Sequence, residues 1–595
     1  MINTYNIEGN GYADDCSALY GGPRLDIAIN RLQKMLDSLT AWGRRCGLKF
    51  NPDKSVAVVF TRRQKTPPKA LVIDGKEIAY KQEVKYLGVT LDSKLHWKAH
   101  INDKVHKAKR FISHVAQITR KNWGPKPKLM RWAYLGIVRP MMCYGAMIWG
   151  HRAQFHTAKL SRINRMGINT FGSFPRSTPT AALEIMLDIT PLHHFCLQEG
   201  LSARCRLHDV LGLDWPGTAQ KKTHAISHLR HWENIMQAHD LRPEAMDRCS
   251  RTEWSSGYRL NRDSFDGTAK HRHLTQYNIF TDGSRIGNCT GAGFAIYKGK
   301  REILAKSHKL PDHATVFQAE ITAIRLATRA LLDEQPRDLK YVKFFVDSRS
   351  ALQALENPKV TSRAVADTIQ TLNLLGRTTR STTLNWIPAH RGLFGNERAD
   401  SLAKLGTISP DQPLWIGKPP ACIKSEIKNI VTRTWTAEWT SNPQATHTKH
   451  FYSGPDPQKA KYVYKLARLE LGRFVRLITG HNNLNYFQHR LGLWGESSCR
   501  FCHEANETFL HLVTSCPRWH QTRIDFFLDK TPCNDMGWSV RTLLDFSYTP
   551  RINAAFEGTS AHWDAPGADD LDSSDSVSLP ATATPSPDPD LPQTP

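Results

Sequence analysis

Four acidic residues in the middle of the chain have the side-chain types of a metal-dependent hydrolytic site. They are Asp282, Glu320, Asp347 and Asp400. Taken alone, each has a simpler explanation as a turn residue, a helix-start residue or a solvated helix residue. Clustered carboxylates, however, repel one another unless cations neutralise them, and hard oxygen ligands suit Mg²⁺ or Mn²⁺. Two such ions about 4 Å apart can activate a water molecule and stabilise the leaving oxygen of a phosphodiester.

The acids fall at the ends or edges of alternating predicted strands and helices. Residues 277–284 form a β-type run that closes at Asp282 and a Gly turn, and residues 290–297 form the next strand. Gly291 and Gly293 leave room for another backbone to approach that strand. The other predicted elements are a helix from residue 314 carrying Glu320, strand 341–346 ending at Asp347, strand 382–387, loop 388–392, and a helix capped by Asn396 with Asp400 in its first turn.

Five short motifs lie along the stretch 276–406. They read Thr-Asp-Gly-Ser at 281–284, Gln-Ala-Glu at 318–320, Val-Asp-Ser at 346–348, Trp-Ile-Pro-Ala-His-Arg-Gly at 386–392 and Gly-Asn-Glu-Arg-Ala-Asp at 395–400. In these motifs the stretch resembles a type-1 ribonuclease H domain. The resemblance implies an α/β fold in which helices flank a mixed sheet.

The resemblance also implies roles for particular residues. The family's metal-binding carboxylates, which hold two Mg²⁺ or Mn²⁺ ions, correspond to Asp282, Glu320, Asp347 and Asp400. His390 matches the mobile loop histidine that assists proton transfer or product release, although a lone loop histidine is usually a surface residue. Ala389 stands where the family usually has glycine, a departure that touches no ligand. The implied substrate is an RNA–DNA hybrid recognised through its 2′-hydroxyls, and Gly291 and Gly293 suit its close approach.

Bulk composition favours a polyanionic partner. Lys and Arg outnumber Asp and Glu by 80 to 55 in 595 residues, for a formal net charge of +25. This charge argues for RNA or DNA, with a basic soluble or membrane-surface protein as the alternative. We expect no membrane partner, since the most apolar stretch is short and interrupted. Twelve scattered cysteines indicate reduced thiols and an intracellular setting, in the nucleus or cytoplasm.

A second acidic motif lies close to the N-terminus. Residues 12–15 read Tyr-Ala-Asp-Asp, and the pair Asp14 and Asp15 at a hairpin tip can bind a catalytic Mg²⁺. An ordinary turn explains an Asp pair equally well. Further along, residues 47–55 read Gly-Leu-Lys-Phe-Asn-Pro-Asp-Lys-Ser and residues 86–89 read Tyr-Leu-Gly-Val.

In these three motifs, residues 1–97 resemble the later half of a reverse transcriptase palm from non-LTR retrotransposons. The family's other catalytic aspartate lies on an upstream strand, and only 11 residues precede Tyr12. We therefore expect Asp14 and Asp15 to be a polymerase remnant. RNA-directed DNA polymerase activity is expected only if an upstream polymerase portion supplies the rest.

The basic, helix-rich region 98–215 corresponds in that family to a thumb and connection. Its candidates for phosphate contact are Lys104, Lys107, Lys109 and Arg110, with Arg120 and Lys121 following. A solvated helix face is an equal alternative for these residues.

The rest of the chain divides by composition. The predicted segments are a linker at 216–275, a proline-containing linker at 409–420, a basic helical segment at 421–490 and a disordered acidic, proline-rich tail at 564–595. The aromatic residues of 421–490 either stack on bases or form the core of a small helical domain.

A metal-ligand pattern lies in residues 491–530. Cys499, Cys502, His511 and Cys516 have the composition of a Cys₃His site, which Zn²⁺ takes in closed structural centres. The neighbouring His503 is a rival ligand, and coincidental cysteines are the alternative. Similar Cys-Cys-His-Cys segments follow the ribonuclease H region in non-LTR polyproteins, which favours one structural zinc ion.

Two functions remain open at this point. The first is an endoribonuclease that cuts the RNA strand of RNA–DNA hybrids within a retrotransposon-derived polyprotein. The second is a catalytically silent remnant that binds nucleic acid through its basic region and zinc segment. The four acids favour the nuclease, because a binding protein has no use for them.

Overall fold

The computed structural model describes residues 7–61, 67, 69–119, 123–207, 225–242, 246–249, 252–253, 256–261, 276–389, 391–527 and 538–558. These residues fall into two compact units, one reaching to Thr479 and the other beginning at Gly480.

At the start of the first unit a helix packs on short strands. The elements are β1 (Glu8–Tyr12), β2 (Asp15–Leu19), α1 (Leu25–Arg45), β3 (Val56–Ala57), β4 (Leu71–Ile73), β5 (Lys76–Tyr80), β6 (Glu83–Tyr86) and β7 (Val89–Asp92). β1 pairs with β2, β3–β5–β4 form one sheet, and β6 pairs with β7. Ile29 packs with Leu71, Ile73 and Ile78, because the helical period turns the apolar face of α1 toward that sheet.

The next region is almost entirely helical. Its elements are α2 (Lys98–Gln117), α3 (Pro127–Ala133), a π-helical turn (Tyr134–Val138), α4 (Arg139–Cys143), α5 (Ala146–Trp149), a 3₁₀ turn (Gly150–His156), α6 (Thr157–Ile168), α7 (Thr180–Met186), α8 (Leu192–Leu207) and α9 (Ala225–Ala238). Trp149, Leu160, Leu183 and Leu201 have no exposed surface, so these helices share a closed apolar core.

A six-stranded mixed sheet follows, flanked by helices. In chain order, the elements of this region are β8 (Thr252–Glu253), β9 (Arg259–Asn261), β10 (Gln276–Ile286), β11 (Cys289–Lys298), β12 (Arg301–Leu310), α10 (Val316–Glu334), β13 (Tyr341–Val346), α11 (Arg349–Glu356), β14 (Lys359–Val360), α12 (Arg363–Thr378), β15 (Ser381–Trp386) and α13 (Phe394–Ile408). The strand order is β12-β11-β10-β13-β15-β9. β10, β11 and β12 are antiparallel, whereas β10, β13, β15 and β9 run parallel. The expected mixed α/β fold is confirmed.

The segment 216–275, which its composition indicated to be a linker, contributes residues to the folded first unit. Trp232 on α9 is buried and donates from Nε1 to Met147 O at 2.9 Å. β9 adds the sixth strand to the sheet, next to β15. Asp247 is buried and accepts hydrogen bonds from Gln318 Nε2 and Ala364 N, both at 2.9 Å. Parts of the segment are therefore built into the folded unit.

Four further helices complete the first unit: α14 (Pro420–Ser441), α15 (Thr446–Lys449), α16 (Pro457–Val463) and α17 (Arg468–Thr479). They pack on the helical region that precedes the sheet, since Tyr464 donates to Leu187 O at 2.7 Å and Arg468 to Thr170 O at 3.0 Å. Trp435 and Trp439 are buried, which identifies them as core residues and leaves them unavailable for stacking on bases. The sheet domain is thus inserted between helices of one module.

The second unit is small and helical. Its elements are α18 (Asn485–Arg490), α19 (Phe509–Thr514), a 3₁₀ turn (Pro517–Trp519), α20 (His520–Phe527), α21 (Val540–Ser547) and α22 (Pro550–Glu557). Phe509, Phe527 and Phe546 form its aromatic core. The unit begins at Gly480. The sequence had predicted that the basic helical segment would continue ten residues further, to residue 490. The predicted tail, 564–595, lies outside the described residues.

Across the described residues, no helix combines the length and the apolar character needed to cross a lipid bilayer.

Candidate active site

Strand register brings two of the acids together. Thr281 on β10 is paired with Val346 on β13, and the two strands are parallel. The pairing ends there: Asp347 follows the last residue of β13, whereas β10 continues through Asp282 to Ile286 and does not close at a Gly turn after Asp282 as the sequence predicted. Asp282 and Asp347 are therefore the next residues along two neighbouring parallel strands. The two carboxylates, 65 positions apart in the sequence, become neighbours through strand pairing alone.

Helix α10 supplies the third acid. A side chain at Gly283 would place its Cβ 2.5 Å from Glu320 N and 2.8 Å from Ala319 Cβ, so only glycine permits this closeness. The helix starts in a fixed place because Thr315 caps it and forms a capping box with Gln318. Together these features hold Glu320 against β10 at Gly283, next to Asp282.

The three carboxylates converge in a buried cluster. One oxygen each from Asp282, Glu320 and Asp347 lies within 4.8 Å of the others. Asp282 is 8% exposed and Glu320 is 5% exposed. Glu320 Oε2 is buried without a hydrogen-bond partner, although a buried anionic oxygen without a partner is costly. A divalent cation is the partner that this set of oxygen donors fits.

The electrostatics of the cluster reflect its burial. Burial first, and then the charges of Asp347 and Asp400, raises the pKa of Asp282 to about 7. Burial, with added repulsion from Asp282 and Asp347, raises the pKa of Glu320 well above its usual value. Bound divalent cations would remove that repulsion, and they would have to displace the retained protons to do so.

The fourth acid stands at the edge of the cluster. Asp400 lies on α13, close enough to raise the pKa of Asp282, but outside the group of three converging oxygens. Its carboxylate is paired with Lys404 at 2.7 Å, four residues along the same helix. Lys404 thus places a positive charge beside Asp400 at the edge of the cluster.

Asn396 has a different position from the one that the sequence indicated. Helix α13 begins at Phe394, with Leu393 as its N-cap, so Asn396 lies within the first turn instead of capping it. Its Nδ2 donates to Asp347 Oδ2 at 3.2 Å. Trp386 Nε1 also donates to Asp347 O at 3.1 Å. Asn396 is therefore a positioning residue that the capping pattern concealed. His390 lies outside the described residues.

Residues 274–408 match the family model described as RNase H. This segment is an RNase H domain. The chain is also 27% identical over 165 residues to "Probable RNA-directed DNA polymerase from transposon BS" of Drosophila melanogaster, covering 28% of this chain and 18% of the relative. It is 28% identical over 187 residues to "RNA-directed DNA polymerase from mobile element jockey" of the same species, covering 30% and 20%.

The chain is thus related to the polymerases and Pol polyproteins of non-LTR retrotransposons, and it spans about a fifth of the length of these two relatives. A solved ribonuclease H1 from the halophilic archaeon Halobacterium salinarum NRC-1 is 20% identical, covering 22% of this chain and 96% of that chain with a TM-score of 0.18.

The two strand glycines of the RNase H domain serve its own packing. A Cβ at Gly291 would lie 2.3 Å from Ala403 O, and one at Gly293 would lie 2.3 Å from Ala403 N. The backbone that approaches β11 is therefore that of α13. The expectation that these glycines admit a nucleic-acid duplex is wrong, because α13 already fills the space.

The residues of the helical region that were predicted to contact phosphate differ in how exposed their side chains are. Lys104 is buried, with Nζ 3.3 Å from Gly88 O and 4.6 Å from the centre of the Tyr144 ring, so it is not on a phosphate-binding face. Lys107 is paired with Asp103 at 2.8 Å. Lys109 is partly exposed and Arg110 is exposed, and their contact with phosphate stays a prediction. Arg120 and Lys121 lie outside the described residues.

The N-terminal acid pair lies at a hairpin tip. Tyr12 on β1 pairs with Asp15 on β2, and Ala13 has a φ of 54° in the turn between them. Asp14 and Asp15 are exposed, and β1 and β2 form a sheet of only two strands among the described residues. No third carboxylate of the described residues converges on them.

The second unit gathers the four predicted zinc ligands. One ligand atom from each of Cys499, Cys502, His511 and Cys516 lies within 4.8 Å of the others. Cys502 Sγ is 3.2 Å from His511 Nε2, and the other ring nitrogen of His511 is 3.1 Å from Ser515 Oγ. Tetrahedral zinc with bonds of about 2.0–2.3 Å places its ligand atoms at such separations. His503 is not part of the cluster.

Proposed function

We propose that this chain is an endoribonuclease that cuts the RNA strand of RNA–DNA hybrids, as part of a retrotransposon-derived reverse transcriptase polyprotein acting in the nucleus or cytoplasm. The observation that carries the proposal is the convergence of Asp282, Glu320 and Asp347, with an unpartnered buried oxygen on Glu320. Asp400 completes the set from α13.

These four residues would hold two Mg²⁺ or Mn²⁺ ions, which when bound supply an activated water and neutralise the departing 3′ oxygen. Burial of Asp282 and Glu320 keeps bulk water from competing for their oxygens. Asn396 orients Asp347 through its amide, and Lys404 holds Asp400 at the cluster edge. His390, which precedes α13 in the sequence, is the candidate for assisting proton transfer or product release.

We further propose that Cys499, Cys502, His511 and Cys516 hold one structural Zn²⁺ in the second unit. The partly exposed Lys109 and the exposed Arg110 would contact the phosphates of RNA or DNA. An upstream polymerase portion, as the names of the relatives indicate for those proteins, is the expected partner of residues 1–97.

The direct test uses a labelled RNA–DNA hybrid with Mg²⁺ and the full chain. Asp282→Asn is expected to lower the single-turnover cleavage rate by at least about 100-fold, since the amide removes a charged metal ligand. Asp333→Asn is the matched control, because Asp333 is an exposed carboxylate on the same domain, away from the cluster. Its cleavage rate is expected to equal that of the wild-type chain.

Binding of the hybrid without cleavage by the wild-type chain would contradict the proposal and identify a catalytically silent nucleic-acid-binding protein. Equal cleavage by wild type and Asp282→Asn would place the activity elsewhere in the chain.

A further inference from the structure

A group of potential metal ligands lies outside both sites described above. His193 and His194 begin helix α8, and Glu438 lies near the end of α14. One ligand atom from each lies within 4.8 Å of the others. The three residues belong to helices that flank the RNase H domain in sequence, one before it and one after it.

Helix packing explains why residues so distant in sequence meet. Leu201 and Cys205 of α8 share an apolar cluster with Ile423 and Ile427 of α14. The early part of α14 thus lies beside the late part of α8, as two antiparallel helices require. The start of α8 is then brought to the end of α14, where Glu438 extends toward the two imidazoles.

The contacts within the group have the form of ligands facing one point. Glu438 Oε2 lies 2.8 Å from His194 Nε2 and 3.5 Å from His193 Nε2. His194 has a side chain only 5% exposed, and its Nε2 makes no hydrogen bond of acceptable geometry, even to the nearby carboxylate. Its burial and its closeness to a carboxylate oxygen place this nitrogen where it can serve as a metal ligand.

The separations suit zinc. Tetrahedral Zn²⁺ with bonds of about 2.0–2.2 Å to nitrogen and oxygen places its ligand atoms about 3.3 Å apart. The observed separations of 2.8 and 3.5 Å bracket that value. Two imidazoles and one carboxylate are also a donor set that Zn²⁺ accepts, with water in the fourth position. Glu438 is 53% exposed, so the fourth position faces solvent.

We propose that His193, His194 and Glu438 form a second zinc site, with one water as fourth ligand, that fastens α8 to α14. The ion links α8, which precedes the RNase H domain in the sequence, to α14, which follows it. The site stabilises the fold, and it does so independently of hybrid cleavage.

The test is zinc content of the full chain in a Cys502→Ser background, which removes the cysteine-rich site, with excess Mg²⁺ present to occupy the carboxylate cluster. After removal of unbound metal, this chain is expected to retain about one zinc ion. Cys502→Ser/His194→Gln and Cys502→Ser/Glu438→Gln are expected to retain none. Cys502→Ser/His106→Gln is the matched control, because His106 is an exposed helix histidine of the same module.

Thermal unfolding gives a second readout in the same background. Added Zn²⁺ is expected to raise the unfolding midpoint of the Cys502→Ser chain and of the His106→Gln control, but not that of the Glu438→Gln chain. Because Glu438 is half exposed, its amide variant is expected to fold, which circular dichroism verifies. Equal zinc retention with and without Glu438 and His194, or equal midpoint shifts, would overturn the site and leave a histidine–carboxylate ion pair.

Discussion

Glu320 shows at the scale of one residue why the cluster suits a cation. Its Oε2 is buried without a hydrogen-bond partner, and two further carboxylates stand next to it. Such an arrangement weakens the folded state unless positive charge is supplied. The stability of the RNase H domain is therefore linked to pH and to divalent ions through the same residues that we assign to catalysis.

The raised pKa of Asp282 fixes the sign of that pH dependence. The pKa of Asp282 is about 7 in the folded state, against a usual value of 3.8. Between these two pH values the folded state therefore holds a proton that the unfolded chain has lost. Without added divalent ions, stability is expected to fall as the pH rises from about 4 to about 7, and then to level off.

Asp282→Asn removes this loss. At pH 8 without divalent ions, the variant is expected to be more stable than wild type, by at most on the order of 4 kcal/mol. At pH 4 the two are expected to agree. Urea titration with proteolysis of the RNase H domain measures the difference, and Asp333→Asn serves as control. A variant less stable than wild type at pH 8 would show that Asp282 is not electrostatically strained.

Single residues also show where sequence reasoning succeeds and where it stops. Motif matching selected Asp282, Glu320 and Asp347, and their carboxylates do converge in the folded chain. It misassigned Asn396, since a capping residue and a first-turn residue look alike in sequence. Lys104 was misjudged too, although its spacing from Ile101 and Ala108 places it on the buried face of α2.

At the scale of elements, α13 depends on the two strand glycines below it. A Cβ at Gly293 would meet Ala403 N at 2.3 Å and Ala399 O at 2.7 Å, both backbone atoms of the helix. The helix carries Asp400 and Asn396, so its distance from the sheet determines the geometry of the cluster.

Gly293→Ala is expected to destabilise the RNase H domain by about 1–3 kcal/mol and to lower hybrid cleavage, because α13 must move away from β11. Gly11→Ala is the control, since Gly11 is also a strand glycine but has open space around it. Urea titration and the cleavage rate measure the two effects. Unchanged values for Gly293→Ala would mean that α13 is not packed as described.

Elements without a sequence pattern escaped prediction. β9 has only three residues, which are too few to show an alternating pattern. It joins the sheet by pairing with β15, a strand more than 120 positions further along the chain. Asp247 is similarly isolated in sequence, yet it receives hydrogen bonds from Ser362, Ala364 and Gln318. Long-range pairings of this kind are fixed by the tertiary fold and leave no local signal.

At the scale of the whole molecule, the second unit has its own cluster of four potential zinc ligands and its own buried ion pair. Glu507 has no exposed side-chain surface and accepts from Arg500 Nε at 2.6 Å and from Asn485 N at 2.6 Å. For so small a core, the zinc ion that we propose would act as an additional cross-link.

Removal of zinc is expected to unfold the second unit while the first stays folded. Limited proteolysis of the full chain after treatment with a strong chelator is expected to cut within residues 480–558, and Cys516→Ser is expected to reproduce the pattern. Thr514→Ser, in the same helical turn region but outside the ligand set, is the control. Protection of 480–558 in the chelated chain would contradict a structural zinc ion.

The most direct measurement of the central claim is Mn²⁺ binding by calorimetry, with zinc-loaded full chain near pH 7. Wild type is expected to bind Mn²⁺ with release of protons, because the metal displaces the protons that Asp282 and Glu320 retain. Glu320→Gln is expected to bind at least about tenfold more weakly and to release fewer protons, while Asp333→Asn behaves as wild type. Equal Mn²⁺ affinity and equal proton release in wild type and Glu320→Gln would contradict a shared metal site.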